Sequence, residues 1–254
     1  YLARIQKDPS TVKLLNQLIT RIRKNQHIEI CQNQDVEASD RYTGFQRLHF
    51  LPTALPRLSW NDLNIRTSLL GYECQRPFLI TGMTGGIEPG AKINQRLAET
   101  AQAYGIPMGV GSQRLALEHP EYAEIFAVKK TTPNVFLIAN IGMSQLSDKK
   151  LALKYAQDAV AMIDADALAI HCNVIQELVQ YEGDRCFPDL IENIQYICHN
   201  LQVPVIIKEV GCGIDLESAK TLVNAGVSCI DVGGKGGTSW AYIESQRNSN
   251  AQEQ

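Results

Sequence analysis

The sequence has no paired cysteine motif, no strong excess of either charge and no long apolar run. Its seven cysteines are scattered without a CxxC spacing, so neither a zinc site nor a disulfide framework is indicated. No stretch approaches the roughly 18 apolar residues of a membrane-spanning helix. A formal net charge of −3 argues against a general nucleic-acid or membrane surface. These absences favour a cytoplasmic protein with reduced thiols that acts on a small molecule, with no nucleic-acid or membrane partner.

Apolar residues are plentiful, at 44% of 254 residues, which is enough for a large core. From residue 77 onward, short aliphatic runs alternate with helical patterns, which is typical of repeated βα units around a parallel sheet. The predicted strands are residues 78–82, 106–110, 135–140, 167–171, 205–210 and 229–232. The predicted helices between them are residues 92–104, 121–128, 149–164, 188–201 and 216–225.

Polar side chains follow nearly every predicted strand. A (β/α)8 barrel builds its site from many strand ends, whereas a doubly wound sheet concentrates its site at one switch point. We therefore expect one α/β domain of the TIM (β/α)8-barrel type, with its barrel portion in residues 77–254. The chain turns polar, without apolar periodicity, after Glu244. This pattern predicts a barrel that is truncated or incomplete after the sixth strand.

Residues 1–76 precede the first strand and contain one predicted helix, at residues 11–24. We expect this N-terminal arm to pack under or across the barrel. Its cluster of Arg23, Lys24 and His27 could cover the barrel mouth. The same cluster could instead be a solvated helix end, with cations near the negative terminus of the helix.

The segment from residue 171 to residue 185 is too polar for an ordinary turn between a strand and a helix. It contains histidine, amides and several carboxylates directly after a buried run. Such groups suit a metal and an anion better than a core. Glycine-rich loops follow the first and sixth strands, at residues 82–86 and 233–237, where backbone N–H groups can approach a flat ring or a phosphate.

These segments together resemble the type 2 isopentenyl-diphosphate isomerase family, over a stretch from about Arg23 to Glu244. Several landmarks occur in the family's order, which makes the similarity specific. They are Arg23-Lys24 with His27, Thr43-Gly-Phe45, Ala54-Leu-Pro56, Met83-Thr-Gly-Gly86, Gly111-Ser-Gln-Arg114, Asn173 with Gln176-Glu177, Glu182-Gly-Asp184, Lys208-Glu-Val-Gly211 and Gly236-Gly-Thr-Ser-Trp240.

The resemblance implies an isomerase that interconverts isopentenyl diphosphate and dimethylallyl diphosphate with reduced FMN and Mg²⁺. It implies that the reduced flavin supplies the acid–base group, so no side chain is assigned as catalytic, and that NAD(P)H serves only as reductant. A homo-oligomer is the usual family assembly. The family's two loops that hold the FMN phosphate would lie beyond residue 254.

The same resemblance assigns site residues by position. Glu177 is the expected Mg²⁺ ligand. The expected substrate contacts are Arg23, Lys24, Ser112, Gln113, Arg114 and Gln176. The expected FMN contacts are Thr81, Gly82, Met83, Thr84, Ser112, Asn140, Lys208 and Thr238.

Some residues allow two interpretations of their role. Lys208 ends a buried run, where a charge is costly unless it meets an anion such as a reduced flavin, or it could extend to solvent at the barrel rim. His171 is either catalytic or a hydrogen-bonded structural histidine. Glu182 and Asp184 could be turn residues, with Gly183 supplying unusual backbone angles. Asp215 is expected to be a helix N-cap.

Two other functions remain open from the sequence. One is an FMN-dependent oxidoreductase on a similar barrel, such as a 2-hydroxy-acid oxidase, although such an enzyme has no need of Arg23-Lys24 or Gln176-Glu177. The other is a non-catalytic, truncated barrel that keeps the site face without the FMN phosphate site.

Overall fold

A curled parallel sheet forms the centre of the molecule. The computed structural model describes residues 8–38, 43–83, 85–187 and 190–252. An antiparallel hairpin of β1 (Thr67–Leu69) and β2 (Tyr72–Cys74) precedes the main sheet. The five parallel strands follow in sequential order: β3 (Met108–Gly109), β4 (Leu137–Gly142), β5 (Ala167–Cys172), β6 (Val205–Glu209) and β7 (Cys229–Asp231). This is the α/β half-barrel arrangement that the βα alternation predicts.

Eight α-helices are assigned in the described part of the chain. They are α1 (Pro9–Asn33), α2 (Glu88–Tyr104), α3 (Arg114–Glu118), α4 (Lys149–Ile163), α5 (Val174–Val179), α6 (Ile191–Asn200), α7 (Leu216–Asn224) and α8 (Trp240–Gln252). Short 3-10 turns cover Phe45–Arg47, Trp60–Asp62, Pro120–Phe126, Val128–Lys130 and Met143–Leu146. None of the described helices is long and apolar enough to span a membrane.

The central strands are buried on both faces, which explains their unbroken aliphatic sequences. All six residues of β4 are buried, and so are the first four residues of β5 and of β6. Local signals fix the helices around them. Asp148 and Asp215 each accept two backbone N–H bonds at the start of α4 and α7, so the predicted N-cap at Asp215 is confirmed.

Several predicted boundaries are wrong. The first strand, expected at residues 78–82, is reduced to a single parallel bridge between Ile80 and Met108. The helix expected at residues 121–128 is 3-10 rather than α. The polar stretch after Glu244 is helical and belongs to α8. It lacks apolar periodicity, and packing against other helices stabilises it instead.

The helix of the N-terminal arm is longer than predicted and runs to Asn33. Arg23 and Lys24 therefore lie in its interior, and a solvated helix end is excluded for them. The C-terminal end of α1 and the residues that follow it join α8 through a small buried cluster of Ile30, Val36 and Ile243, packed on Trp240. This contact brings the two ends of the described chain together above the sheet.

Candidate active site

A polar pocket lies at the carboxyl ends of the central strands, between them and α1. It is lined by Thr20, Arg23, Lys24, His27, Gly82, Met83, Ser112, Arg114, Leu115, Asn140, Gln145, His171, Asn173, Gln176, Glu177, Gln180, Lys208, Val210 and Trp240. This is the edge of a parallel barrel sheet where ligands bind. The structure thus gathers residues from both ends of the described chain into one site.

The strand-end wall of this pocket consists of Asn140, His171 and Lys208, and Gly142 lies next to His171 on the neighbouring strand. Strand register sets it, because Gly142 pairs with His171, and His171 with Lys208, across neighbouring parallel strands. Paired residues in a sheet point to the same face. A side chain at Gly142 would place its Cβ 2.9 Å from Nε2 of His171, so glycine leaves room for the imidazole.

A hydrogen-bond chain fixes the state of His171. The Asn140 amide nitrogen donates to the Val110 carbonyl at 2.9 Å, so the amide oxygen accepts from Nδ1 of His171, 2.7 Å away. Nε2 of His171 then keeps its lone pair. Burial, together with the charges of Lys208 and Lys24, lowers the pKa of His171 to about 3. His171 is therefore a neutral acceptor at physiological pH.

Lys208 does not extend to solvent, since only 7% of it is exposed. Its ammonium donates to the Glu209 carbonyl at 2.9 Å. Burial lowers the pKa of Lys208, while the carboxylates of Asp231 and Glu209 oppose that shift. The ammonium has further N–H donors available for an anion in the pocket.

Glu177 lies in the first turn of α5 and is 9% exposed. Its Oε1 accepts from the Asn173 amide at 3.0 Å, and its Oε2 accepts from the Asp184 backbone N–H at 2.9 Å. Each carboxylate oxygen keeps a second lone pair. The carboxylate is thus oriented by the protein and can still bind a cation.

The helix wall is the side of the pocket formed by α1 and α8. Arg23, Lys24 and His27 from α1 line the pocket, and Glu244 and Arg247 from α8 support them from behind. Burial, with the charge of Arg23, lowers the pKa of Lys24 to about 7. Burial also lowers the pKa of Arg23, against the opposing charges of Glu182 and Glu244. A bound anion would favour the charged forms of both side chains.

Glu244 is the centre of the helix wall and is fully buried. Its Oε1 lies 2.8 Å from Nε2 of His27, and its other oxygen contacts Arg247. Burial would raise the pKa of Glu244, but the hydrogen bond and charge of His27, with Arg247, lower it overall. Burial lowers the pKa of His27, an effect that Glu244 opposes. The Trp240 ring packs edge-on against His27, with centroids 5.1 Å apart.

The sequence did not assign roles to Trp240, Glu244, Arg247 or Gln180. A signal was present, because Trp240, Glu244 and Arg247 have the i, i+4, i+7 spacing of one helix face. Because α8 is polar in its overall composition, this face was not recognised as one that would be buried.

Not every predicted site residue lines the pocket. Ten of them do: Arg23, Lys24, Gly82, Met83, Ser112, Arg114, Asn140, Gln176, Glu177 and Lys208. Gln113 is fully buried behind the strand ends, where its amide donates to the Ala159 carbonyl and accepts from the Asn140 N–H. Its side chain orders β4 instead of facing the pocket.

Two further predicted FMN contacts lie elsewhere. Thr81 lines a small cavity on the inner face of the sheet, beside Lys208 and Asp231. Thr238 lines two neighbouring cavities, one formed by the glycine loop at residues 233–237 and the other beside α1. Thr84 lies outside the described residues.

The turn after α5 is built differently from its prediction. Gly183 has no unusual backbone angle; glycine is required because a Cβ there would lie 2.0 Å from the Glu177 carbonyl oxygen. Asp184 contributes its backbone N–H to Glu177. The Glu182 side chain contacts Arg23 at 3.6 Å and Arg247 at 3.0 Å, so it belongs to the ionic network of the helix wall.

Curated relatives place the chain in a family. It is 45% identical over 232 residues to the isopentenyl-diphosphate delta-isomerase of Nostoc sp. (strain PCC 7120), which covers 91% of this chain and 66% of the relative. It is 44% identical over 226 residues to the enzyme of that name from Pelodictyon phaeoclathratiforme, covering 89% and 63%. The chain belongs to the isopentenyl-diphosphate delta-isomerase family. The resemblance found in the sequence is thereby confirmed.

This family member spans about 66% of the length of the Nostoc relative. No family model matches it. A solved structure of mandelate oxidase with (S)-4-hydroxymandelic acid superimposes with a TM-score of 0.50 at 12% identity, covering 81% of this chain and 64% of that one. At this identity the likeness concerns the fold alone.

Proposed function

We propose that the protein interconverts isopentenyl diphosphate and dimethylallyl diphosphate. The observation that carries the proposal is the convergence of Arg23, Lys24 and Arg114 with the carboxylate of Glu177 on one pocket. Cations and a single oriented carboxylate suit a diphosphate bound together with a metal ion. The names of the relatives supply isopentenyl diphosphate as the substrate to test.

Mg²⁺ would bind at Glu177 in this proposal. The described residues contain no cluster of three or more His, Cys, Asp or Glu side chains that could hold a metal alone. Mg²⁺ commonly takes one or two carboxylates and completes its shell with phosphate oxygens and water. Glu177, held by Asn173 and Asp184, therefore fits a metal that arrives with the diphosphate.

Reduced FMN would bind against the strand-end wall. The buried ammonium of Lys208 suits an anionic flavin ring, and the unprotonated Nε2 of His171 suits an N–H donor. When bound, the flavin would supply the acid–base group for the allylic proton shift, and NAD(P)H would only reduce it. Asn140 would keep His171 aligned, so the wall needs no rearrangement to receive the ring.

Side chains of the helix wall would hold the substrate and exclude water. Arg23 and Lys24 would neutralise the diphosphate, and Gln176 would donate to it. Trp240 and His27 would cover the apolar tail, because their packed rings border the pocket. Proton transfer at carbon requires such shielding and a fixed orientation.

A direct test incubates the purified protein anaerobically with isopentenyl diphosphate, FMN, NADPH and Mg²⁺. Formation of dimethylallyl diphosphate is expected, without stoichiometric NADPH consumption. Parallel calorimetry measures binding of isopentenyl diphosphate. A protein that binds neither this diphosphate nor FMN would overturn the proposal. Reduction of the flavin by a 2-hydroxy acid without NADPH would instead support an oxidase.

A second test isolates the metal. The Glu177→Gln variant should lose Mg²⁺-dependent turnover and Mg²⁺-dependent diphosphate binding, while flavin absorbance stays nearly unchanged. Glu124→Gln is the matched control, since Glu124 is exposed in a surface pair with Lys130. Equal Mg²⁺ dependence in both variants would remove Glu177 from the metal site.

The proposal retains a homo-oligomeric, cytoplasmic enzyme. Sedimentation velocity of the purified protein tests the assembly, and fractionation of cells tests the location. A monomer at micromolar concentration would contradict the first expectation.

A further inference from the structure

Arg247 makes three contacts through three different nitrogen atoms. Its Nε donates to the Gln26 amide oxygen at 3.0 Å, its Nη2 donates to Glu182 at 3.0 Å, and its Nη1 contacts Glu244. Only 10% of the side chain is exposed. The planar fork of arginine is required to reach all three groups at once.

Each carboxylate that Arg247 holds also contacts a residue of the pocket. Glu182 contacts Arg23, with 3.6 Å between Oε1 and Nη1. Glu244 contacts His27 at 2.8 Å and accepts from the Gln176 amide at 3.4 Å. Arg247 does not line the pocket itself, so it acts one contact away from the residues that do.

Gln180 closes this network. With its amide oriented so that both ends are satisfied, it donates to Glu244 at 3.1 Å and accepts from Arg23 at 2.6 Å. The network therefore joins α1, α8 and the segment around α5 through side chains alone. Asn248, one residue after Arg247, also donates to the Val179 carbonyl at 2.8 Å.

We propose that Arg247 is a positioning residue that, through Glu182 and Glu244, holds Arg23, His27 and Gln176 in place for a diphosphate substrate. The proposal rests on the proposed function for the identity of the ligand. The effect of Arg247 on the pKa of His27 is independent of the proposed function, because that pKa can be measured without substrate. The sequence gives Arg247 no role, because its partners Gln26 and Glu182 are far away in the chain.

The charges facing this network give the test a direction. His27 faces Glu244 and Arg247 from α8 and Arg23 from its own helix, and Glu244 faces His27 and Arg247. Glu177 and Glu182 from the α5 segment act on Arg23. Arg247 contributes to lowering the pKa of both His27 and Glu244. Removing its charge should therefore raise the pKa of both groups.

The experiment compares Arg247→Met, Arg247→Lys and Glu182→Gln with the unsubstituted protein. Histidine NMR titration reports the pKa of His27, and calorimetry reports binding of inorganic pyrophosphate with Mg²⁺. Arg247→Met should raise the His27 pKa and weaken pyrophosphate about tenfold. Arg247→Lys should keep the His27 pKa near its original value, with an intermediate affinity. Where activity is measurable, the change should fall mainly on KM.

Glu182→Gln distinguishes the contacts that run from Arg247 through Glu182 to Arg23 from those that run through Glu244 to His27 and Gln176. It should weaken pyrophosphate binding through Arg23 and leave the His27 pKa in place, because Glu182 does not contact His27. Lys154→Met, which removes only an exposed pair with Asp158, is the control and should change neither quantity.

Two results would overturn the proposal: an Arg247→Met variant with unchanged His27 pKa and pyrophosphate affinity, or an Arg247→Lys variant no different from Arg247→Met. If Arg247→Met does not fold, Arg247→Lys and Glu182→Gln decide the question. Failure of the unsubstituted protein to bind pyrophosphate would contradict the proposed function, while the His27 titration would still report on Arg247.

Discussion

The two walls of the pocket are held in place by different means. The strand-end wall is positioned by backbone register, which aligns Gly142, His171 and Lys208 across three neighbouring strands. The helix wall depends on side-chain pairs between distant parts of the chain, since His27 and Glu244 are 217 residues apart in sequence. The first wall therefore forms with the sheet, whereas the second forms only when two helices meet.

This difference predicts different sensitivities. Changes that obstruct close backbone packing should damage the strand-end wall and the stability of the fold together. Changes of charge should alter the helix wall through the pKa values and the orientation of its members.

Gly82→Ala should destabilise the protein by about 3 kcal/mol. A Cβ at Gly82 would lie 2.0 Å from the Val110 carbonyl oxygen, which also accepts from Asn140. Gly234→Ala is the matched control, because a Cβ there meets nothing within 4 Å. Urea unfolding followed by circular dichroism measures both. Equal stability of the two variants would show that backbone packing does not constrain this wall.

His171 should make folding stability depend on pH. Its pKa is about 3 in the folded protein, below the ordinary value of 6.5, so the unfolded chain binds a proton first as the pH falls. Its contribution is fully present above pH 6.5 and is lost between pH 6.5 and 3, by about 1.4 kcal/mol per pH unit. In His171→Gln this dependence should be weaker. Denaturant unfolding between pH 7 and 4.5 tests it, and parallel slopes for both proteins would refute it.

Glu244→Gln should lower the pKa of His27 further. Burial already lowers that pKa, and the variant removes the hydrogen-bonded carboxylate that opposes the shift. The lost charged hydrogen bonds should also cost about 2 kcal/mol of stability. Histidine NMR titration gives the pKa, and an unchanged or higher value would contradict an electrostatic helix wall. In the strand-end wall, the pKa of His171 should stay where it is.

Lys220→Met should change stability by less than about 0.5 kcal/mol. Its partner Glu217 lies three residues away on the exposed face of α7, outside both walls. Thermal unfolding measures the difference. A larger loss would show that charge pairs matter throughout this molecule and would remove the contrast between the helix wall and the ordinary surface.

Much of the strand-end wall could be predicted from the sequence. The runs ending at Asn140, His171 and Lys208 are aliphatic and contiguous, so strand position and polar strand end were both visible. The first strand was overestimated, because a short apolar run predicts extended chain without showing how much of it pairs. Gln113 was assigned to the ligand by resemblance, whereas its amide is used inside the fold.

The helix wall could be predicted only in part. Arg23, Lys24 and His27 stand out as a cluster. Whether they cover the barrel mouth or form a solvated helix end depends on where the helix ends, which the sequence did not show. Helix α8 lacks an apolar stripe, so neither its presence nor its partners followed from composition. Its buried face combines the apolar Trp240 and Ile243 with the charged Glu244 and Arg247. The two charges are satisfied by ion pairs with α1 and the α5 segment, which no local pattern encodes.

The βα alternation, the family and the chemical types at the strand ends follow from the sequence alone, because they depend on local patterns of burial and on residue order. Which polar groups line the pocket and which support them became visible in the folded molecule. Glu182, Glu244 and Arg247 gain their roles from contacts across the chain, which pair Glu244 with His27 and Arg247 with Glu182 in a buried setting. Such pairing depends on distance in space, and sequence order does not contain it.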